Sequence, residues 1–264
     1  MTPTLNDIAS AIEEFAPLSL QEKWDNSGWQ VRPDGSRECT GVLTCVDVTE
    51  EIVAEARQRG CNLIVAHHPL LFHGLKHLCG SSRVERAAML ALLDGVAIYS
   101  CHTPLDSCRG GLSWAVAKAL NLRNVEVLAP DPRFPEAGFG VVGDTEALLT
   151  PENLVAEAKK ACNTSAARCS RPSGVTGISR VAITTGAGDD FIDNAVDAGA
   201  QAYITSDIKH HTFVDRADDI FLVDLSHYST EQCAKSLLCE VITKKFPNFA
   251  ACMSETEQSP IVYM

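Results

Sequence analysis

Short apolar runs of strand length alternate with helix-like segments in two stretches of the chain, and this alternation is the strongest constraint on its fold. The stretches are residues 41–106 and 180–231. An amphipathic helix is predicted before them, over 5–15, and a long last helix, about 229–246, precedes a terminal strand. Because helices of this length connect parallel strands by right-handed crossovers, the pattern predicts an α/β fold with mixed or parallel sheets flanked by helices.

Capping signals set the ends of the predicted helices. Thr49 and Ser82 have N-cap side chains, and Glu85 completes a capping box with Ser82. Gly60 and Gly95 stand where these helices should end.

Between the two stretches the alternation loosens, from about residue 121 to 179. Three prolines cluster before a short predicted strand near 139–142: Pro130, Pro132 and Pro135. A helix is predicted over about 151–162. We expect this middle segment to be less regular than its flanks.

The composition excludes several classes of protein. With 45% hydrophobic and 21% charged residues the chain should fold, and 264 residues permit one large domain or two smaller ones. The net charge of −12 argues against a nucleic-acid partner. No apolar run has the length of a membrane span and no signal peptide is evident, so we expect a cytoplasmic protein with no membrane partner. The 11 cysteines include no Cys-x-x-Cys pair, which argues against a zinc knuckle.

Polar clusters follow the predicted strands at their carboxyl ends. The segments are "AHHP", "CHTPLD", "SDIKHH" and "SHYSTE". In open parallel sheets ligands bind at this edge, because the loops there converge on one crevice. The clusters contain imidazoles and carboxylates of the kind that divalent metals prefer: His67, His68, Asp106, His227 and Glu231.

The spacing of these residues favours shared ligation. His227 and Glu231 are four residues apart and would share one face of a helix. His67 and His68 can serve one site only if the backbone leaves the strand there, which Pro69 favours. Five ligands cannot fill the shells of two ions, so we predict open positions for water, and a water that bridges ions about 3.5–4 Å apart is a strong nucleophile.

Other polar residues have more than one interpretation. Asp207 is a candidate substrate or proton-transfer contact. His210 and His211 either line a cavity or face solvent, whereas His73 and His77 are expected on the surface.

Two turns are also ambiguous. The turn 184–190, "TTGAGDD", could cradle a phosphate, although a tight structural turn is the favoured interpretation. In "WDNSGW" we expect Trp24 to pack in the core, while Asp25 and Asn26 could reach a cavity.

The motifs "WDNSG", "AHHPLLFHG", "HTPLD", "ITSDIKHH" and "SHYSTE" occur in this order over nearly the whole chain. Together they resemble the NIF-three-like family, also called GTP cyclohydrolase type 2 homologues. The resemblance implies that the five residues above are the ligands of a dinuclear metal centre and that His102 lies close to it. His102 and Asp207 are therefore the candidate catalytic residues. Iron, manganese, zinc and magnesium all remain open as the two divalent ions of each subunit.

The resemblance also implies an architecture. It predicts a two-lobed α/β subunit and a homohexameric ring, a toroid whose metal sites face an internal cavity. We place a metal-binding lobe at residues 1–125 plus 226–264 and a second lobe at 126–225. The chain departs from the usual motifs at three places, which leave the ligands but change the walls around them: Pro104, Ser226 and Ser206–Asp207.

Two functional hypotheses follow. The first is a metal-dependent hydrolase that uses a bridging water against a small anionic, nucleotide-like or phosphorylated substrate, with a GTP cyclohydrolase-type reaction implied by resemblance. The alternative is a ring-forming metal-binding scaffold or metal-delivery protein that acts through protein partners.

Overall fold

The computed structural model describes residues 2–34, 37–172, 174–262 and 264. The chain divides into two compact units: unit 1 (Met1–Leu105 and Ala234–Gln258) and unit 2 (Asp106–Cys233 and Ser259–Met264). In chain order the helices and strands are α1 (Leu5–Phe15), β1 (Gly28–Val31), β2 (Val42–Cys45), α2 (Glu50–Gln58), β3 (Leu63–Ala66), α3 (Arg83–Asp94), β4 (Ala97–Ser100), α4 (Thr103–Ser107), α5 (Leu112–Ala119), β5 (Arg123–Asp131), β6 (Phe134–Leu149), α6 (Pro151–Ala161), β7 (Arg168–Cys169), β8 (Ile178–Ala187), α7 (Ile192–Asp197), β9 (Ala202–Ser206), α8 (His210–Arg216), β10 (Phe221–Asp224), α9 (His227–Glu231), α10 (Cys233–Lys245) and β11 (Ala251–Met253).

Unit 1 contains a five-stranded sheet in the order β1-β4-β3-β2-β11. All neighbours are parallel except β1, which runs antiparallel to β4. Side chains of α2 and α3 such as Ile52 and Ala91 pack with Leu43, Ile64 and Ile98 of the sheet in one buried cluster. β3 lies in the centre with every position buried, as expected for a parallel strand covered on both faces.

The predicted caps of the two crossover helices are confirmed. Thr49 accepts a hydrogen bond from the Ile52 amide, and Ser82 accepts one from the Glu85 amide. α3 ends at Gly95, whose φ of +66° is the left-handed conformation that glycine adopts readily. Local sequence chemistry therefore sets the lengths of these helices.

Unit 2 contains a six-stranded mixed sheet in the order β5-β6-β8-β9-β10-β7. The pairs β8–β9 and β9–β10 are parallel, and the others are antiparallel. α5 and α6 pack on one face through residues such as Val116 and Leu154, and α7 packs on the other through Ile192. Alternate strand residues face the two layers, for example Ile204 and Tyr203.

The prediction of a loose middle segment is wrong for residues 121–149. β5 and β6 pair there as a long antiparallel hairpin. The prolines concealed it, but Pro130 lies in an edge strand, where a missing amide donor is tolerated. Pro130 pairs with Gly138, at which an added Cβ would lie 2.1 Å from the Ala129 carbonyl oxygen, so the strands need glycine to approach so closely.

The boundaries between the two units differ from the lobe boundaries predicted near residues 125 and 226. α5 packs on β6 and β8 and therefore belongs to unit 2. α9 contacts β8 and β9 and belongs there as well. Of the five predicted metal ligands, His67 and His68 consequently lie in unit 1, and the other three lie in unit 2.

Within the described ranges, no helix combines the length and the apolar character that a membrane crossing requires. The cytoplasmic location stays a prediction.

Glu55 of α2 fixes the segment that follows β11. Its carboxylate accepts hydrogen bonds from the Ser254 hydroxyl at 2.6 Å, the Glu255 amide at 2.9 Å and the Thr256 hydroxyl at 2.7 Å. Burial raises the pKa of this carboxyl, but the hydrogen bonds outweigh burial and lower the pKa from 4.5 to about 2. The ionised form of Glu55 is therefore part of the folded state.

We expect Glu55→Gln to lower the free energy of unfolding at pH 7 by about 1–3 kcal/mol, the usual effect of losing hydrogen bonds to a buried charged group. Because the pKa is depressed on folding, the contribution of the carboxylate is complete above about pH 4.5 and is lost as the pH falls through about 2. Urea denaturation at pH 7, 4 and 3 should show the difference between variant and wild type shrinking. Glu240→Gln, at an exposed position of α10, is the control, and a difference that stays constant with pH would contradict this account.

Candidate metal centre

Three imidazoles come together in unit 1, and we call His67, His68 and His102 the histidine set. Their ring centroids are 4.9, 5.2 and 5.4 Å apart, and their ligand nitrogens lie within 4.8 Å of one another. His67 and His68 follow β3, where the chain bends, so the expectation that the backbone leaves the strand here is confirmed. Nitrogens bound to one ion lie no more than about 4.2 Å apart, so small side-chain rotations would let this set share an ion.

Each imidazole of the histidine set is held through its Nδ1 atom. His67 Nδ1 donates to the Cys101 carbonyl oxygen at 3.0 Å, and His68 Nδ1 lies 3.1 Å from an Asp47 carboxylate oxygen. His102 Nδ1 lies 2.8 Å from Asp25 Oδ1. A proton fixed on Nδ1 leaves the lone pair on Nε2, the tautomer and the orientation that metal-binding histidines commonly have.

Asp25 is the anchor of His102. Its side chain is fully buried and also accepts hydrogen bonds from the Ser27 hydroxyl at 2.8 Å and the Thr103 hydroxyl at 2.6 Å. Burial opposes ionisation, but the hydrogen bonds from His102 and Thr103 hold the pKa of Asp25 well below its usual value. The "WDNSG" turn therefore presents a carboxylate to the histidine set. By contrast, the prediction that Trp24 packs in the core is wrong, because its side chain is 58% exposed.

Unit 2 has its own group, the carboxylate set, which consists of Asp106, His227 and Glu231. The ligand oxygens of Asp106 and Glu231 lie within 4.8 Å of each other, and His227 Nε2 lies 3.0 Å from Glu231 Oε2. His227 and Glu231 are the first and last residues of α9, so the predicted helical spacing is confirmed. His227 Nδ1 lies 2.6 Å from Asp207 Oδ2. Its imidazole is thus anchored in the same way as the histidine set.

Gly186, near the end of β8, makes room for the Glu231 carboxylate. Its φ is +68°, and an added Cβ would lie 2.3 Å from Glu231 Oε1. The Gly186 amide donates to the Thr230 hydroxyl at 2.9 Å, which fixes the strand against α9. In the "TTGAGDD" turn this amide therefore has a structural role, and the glycine allows the Glu231 carboxylate to approach the backbone closely.

Two departures from the family motifs fall on unusual backbone. Ser226 has φ +69° and ψ 150°, close to a region that only glycine occupies readily. Asp207 has φ +56°, a left-handed conformation that aspartate tolerates better than most residues. The backbone of the site therefore constrains Ser226, which precedes His227, and Asp207, whose side chain contacts His227.

The remaining histidines are outside both sets. His210 and His211 stand at the start of α8 with exposed side chains, and His73 and His77 are exposed as well. Within the described residues, none of the four belongs to a group of ligand atoms close enough to share an ion.

Sequence reasoning missed three residues that support the sets: Asp47, Gly186 and the anchoring role of Asp25. Asp47 lies two residues beyond β2 in "CVDV", and the adjacency of β2 and β3 was the available signal. No sequence signal pairs Gly186 with Glu231, because their contact depends on tertiary packing.

The donor chemistry of both sets fits divalent metals that accept mixed nitrogen and oxygen ligands. Imidazole suits zinc and iron, and carboxylate suits manganese and magnesium as well. Three imidazoles in one set favour zinc or iron over magnesium, which prefers oxygen. The fold and these residues together define a mixed α/β protein with groups of side chains that could hold a divalent metal.

Comparison with known proteins places this class in a family. The sequence model of Duf34/NIF3 (NGG1p interacting factor 3) matches residues 3–260. A protein of Clostridium perfringens named GTP cyclohydrolase 1 type 2 homolog is 31% identical over 228 residues, which cover 86% of each chain. NIF3-like protein 1 of Drosophila melanogaster is 28% identical over 260 residues, 97% of this chain and 87% of its own.

The solved structures agree with the sequence matches. The crystal structure of a Bacillus cereus protein related to NIF3 has a TM-score of 0.92 at 22% identity and covers 100% of this chain and 99% of its own, which shows a common fold. The chain therefore belongs to the Duf34/NIF3 family, and the resemblance inferred from its motifs is confirmed.

We expect Gly186→Ala to weaken Zn²⁺ binding about 10- to 100-fold, the range found when a residue that orients a metal ligand is removed. The added methyl group would displace the Glu231 carboxylate. Competition with a chromophoric chelator measures the affinity. Gly199→Ala is the matched control, because its φ is +74° and nothing lies within 4 Å of the added carbon, so it carries the backbone strain alone. Equal zinc affinities of the two variants would refute the role of Gly186.

Proposed function

We propose that this protein is a metal-dependent hydrolase with a dinuclear centre, acting on a nucleotide-like or phosphorylated substrate. The names of its relatives support a reaction of the GTP cyclohydrolase type 2 kind, although "homolog" in those names describes similarity and not activity.

The anchoring of the histidines carries this proposal. In each of His67, His68, His102 and His227 the Nδ1 atom has a carbonyl or carboxylate neighbour within 3.1 Å. A histidine that serves packing alone can be held through either ring nitrogen, whereas four histidines held through the same nitrogen beside carboxylates fit metal ligation better. We propose five ligands for two divalent ions, as the family resemblance implies: His67, His68, Asp106, His227 and Glu231.

The residues of the two sets would have distinct tasks. When bound, divalent ions supply Lewis-acid activation of a water molecule. Five protein ligands leave open positions on two ions, where water or an anionic group of a substrate could bind. Asp25 and Asp207 hold the imidazoles of His102 and His227 in place through their Nδ1 atoms.

The catalytic roles of His102 and Asp207 remain part of this proposal. Asp207 contacts His227, which supports a positioning role, and His102 lies within the histidine set, which supports a role as ligand or proton donor. A homohexameric ring, implied by the resemblance, is proposed as the assembly.

A second candidate function has one observation in its favour. Both candidate catalytic side chains are already engaged, His102 with Asp25 and Asp207 with His227, so no separate general acid is evident among them. This arrangement suits a ring-forming metal-binding scaffold or a protein that delivers metal to partners.

Glu231→Gln tests the proposed hydrolase. We expect about two divalent ions per chain in anaerobically purified wild type. In the variant we expect metal loss and a fall in turnover of more than about 100-fold. The reason is that removing a metal ligand should reduce activity more than removing a residue that only orients a ligand. Elemental analysis and a panel of nucleotides and phosphate esters provide the measurements. Glu240→Gln is the control, and circular dichroism verifies the fold.

The outcomes separate the two candidate functions. Wild type that retains metal but turns over no member of the panel would contradict the hydrolase and leave the scaffold. Wild type that binds no divalent metal would contradict both.

A further inference from the structure

Two aromatic side chains lie on the surface of unit 1 beside the histidine set. Trp24 is 58% exposed and Phe72 is 39% exposed, and their ring centroids are 6.1 Å apart with planes inclined at 46°. Each ring is also close to the imidazole of His102, at 5.8 Å and 6.1 Å between centroids. Exposed apolar side chains are common one at a time, but here two adjoin a group of metal-ligand type.

The backbone that carries these rings is fixed. Asn26 Nδ2 donates to the Leu71 carbonyl oxygen at 2.7 Å, and the Leu71 amide donates to Gln30 Oε1 at 3.0 Å. Gln30 Nε2 donates in turn to the Asn26 carbonyl oxygen at 2.7 Å. These bonds connect the turn of Trp24 to the loop of Phe72. Because the loops are tied together before any ligand arrives, the rings form a pre-organised surface.

We propose that Trp24 and Phe72 form an aromatic subsite that stacks the planar heteroaromatic ring of a nucleotide substrate beside the histidine set. This inference rests on the proposed hydrolase and specifies which part of its substrate the protein recognises. Aromatic rings prefer offset or edge-to-face partners at 4.5–7 Å between centroids, and bases stack on such platforms whatever their sequence. Leu75 and Leu78 of the same loop are also exposed, so a subunit contact is the alternative that the measurement of particle mass below tests.

Binding of two probes isolates the contribution of the ring. Guanosine monophosphate carries a base, whereas ribose 5-phosphate has the same sugar and phosphate without one. We expect the nucleotide to bind wild type at least about 5-fold more tightly, since base–aromatic stacking gives about 5- to 100-fold per base. Isothermal titration calorimetry of the full-length, Mn²⁺-loaded protein measures both affinities.

Substitutions assign this difference to the two rings. Trp24→Leu and Phe72→Leu should each weaken nucleotide binding by about 5- to 100-fold and leave ribose 5-phosphate unchanged. Trp24→Phe keeps a ring and should lose much less. Phe134→Leu is the matched control, because Phe134 is 38% exposed in unit 2 and should not change either affinity.

Three results would overturn the subsite. The first is equal binding of the two probes to wild type, including no binding of either. The second is an unchanged nucleotide affinity in Trp24→Leu and Phe72→Leu. The third is a change in particle mass in these variants without a change in affinity, which would assign the rings to a subunit contact. The titrations are repeated after EDTA treatment, and bound metal is measured. Because a protein without metal can still discriminate the two probes, this experiment distinguishes a failure of the subsite from a failure of the proposed hydrolase.

Discussion

The site depends on the hydrogen bond that holds Nδ1 of its four histidines: His67, His68, His102 and His227. It satisfies the Nδ1 atom of a side chain such as His67, which is fully buried, at a position where leaving that nitrogen unpaired would cost about 1–3 kcal/mol. It also fixes which nitrogen carries the lone pair. The parallel order of β2, β3 and β4 supplies the partners, because Asp47, His67 and Cys101 each follow one of these adjacent strands. Anchor and ligand therefore come from the same edge of one sheet.

Unit 2 supports its ligands with unusual backbone. Gly186, Asp207 and Ser226 lie at or just beyond the carboxyl ends of β8, β9 and β10, and all three have positive φ. For a non-glycine residue such a conformation costs on the order of 1–3 kcal/mol, and it persists where the surroundings over-determine it. Gly186 gives the Glu231 carboxylate its place, Asp207 holds the His227 imidazole, and Ser226 starts the helix that carries both ligands. These unfavourable backbone conformations therefore lower the local stability, but they position the ligands.

The sequence predicted the parts of this protein that local chemistry determines. The sequence was sufficient to predict the capped helices, the buried parallel strands and the polar residues beyond the carboxyl ends of those strands. The motifs identified the family. The β5–β6 hairpin was not, because an edge strand tolerates the prolines that usually exclude a strand. Asp47 and Gly186 were also missed, since their contacts join residues far apart in the chain. The exposure of Trp24 was unpredictable for a similar reason: an aromatic residue in a turn can equally pack inward or face a ligand.

The tautomers of the histidines give the most direct test of this account. In ¹⁵N-labelled, metal-free protein above pH 8, side-chain NMR correlations distinguish a proton on Nδ1 from one on Nε2. We predict the Nδ1–H form for His67, His68 and His102, and we predict that Zn²⁺ then shifts the Nε2 resonances of the ligands among them. Finding the Nε2–H form in His67 and His68, or a metal-induced shift confined to Nδ1, would contradict the claim that hydrogen bonds at Nδ1 prepare these imidazoles for metal.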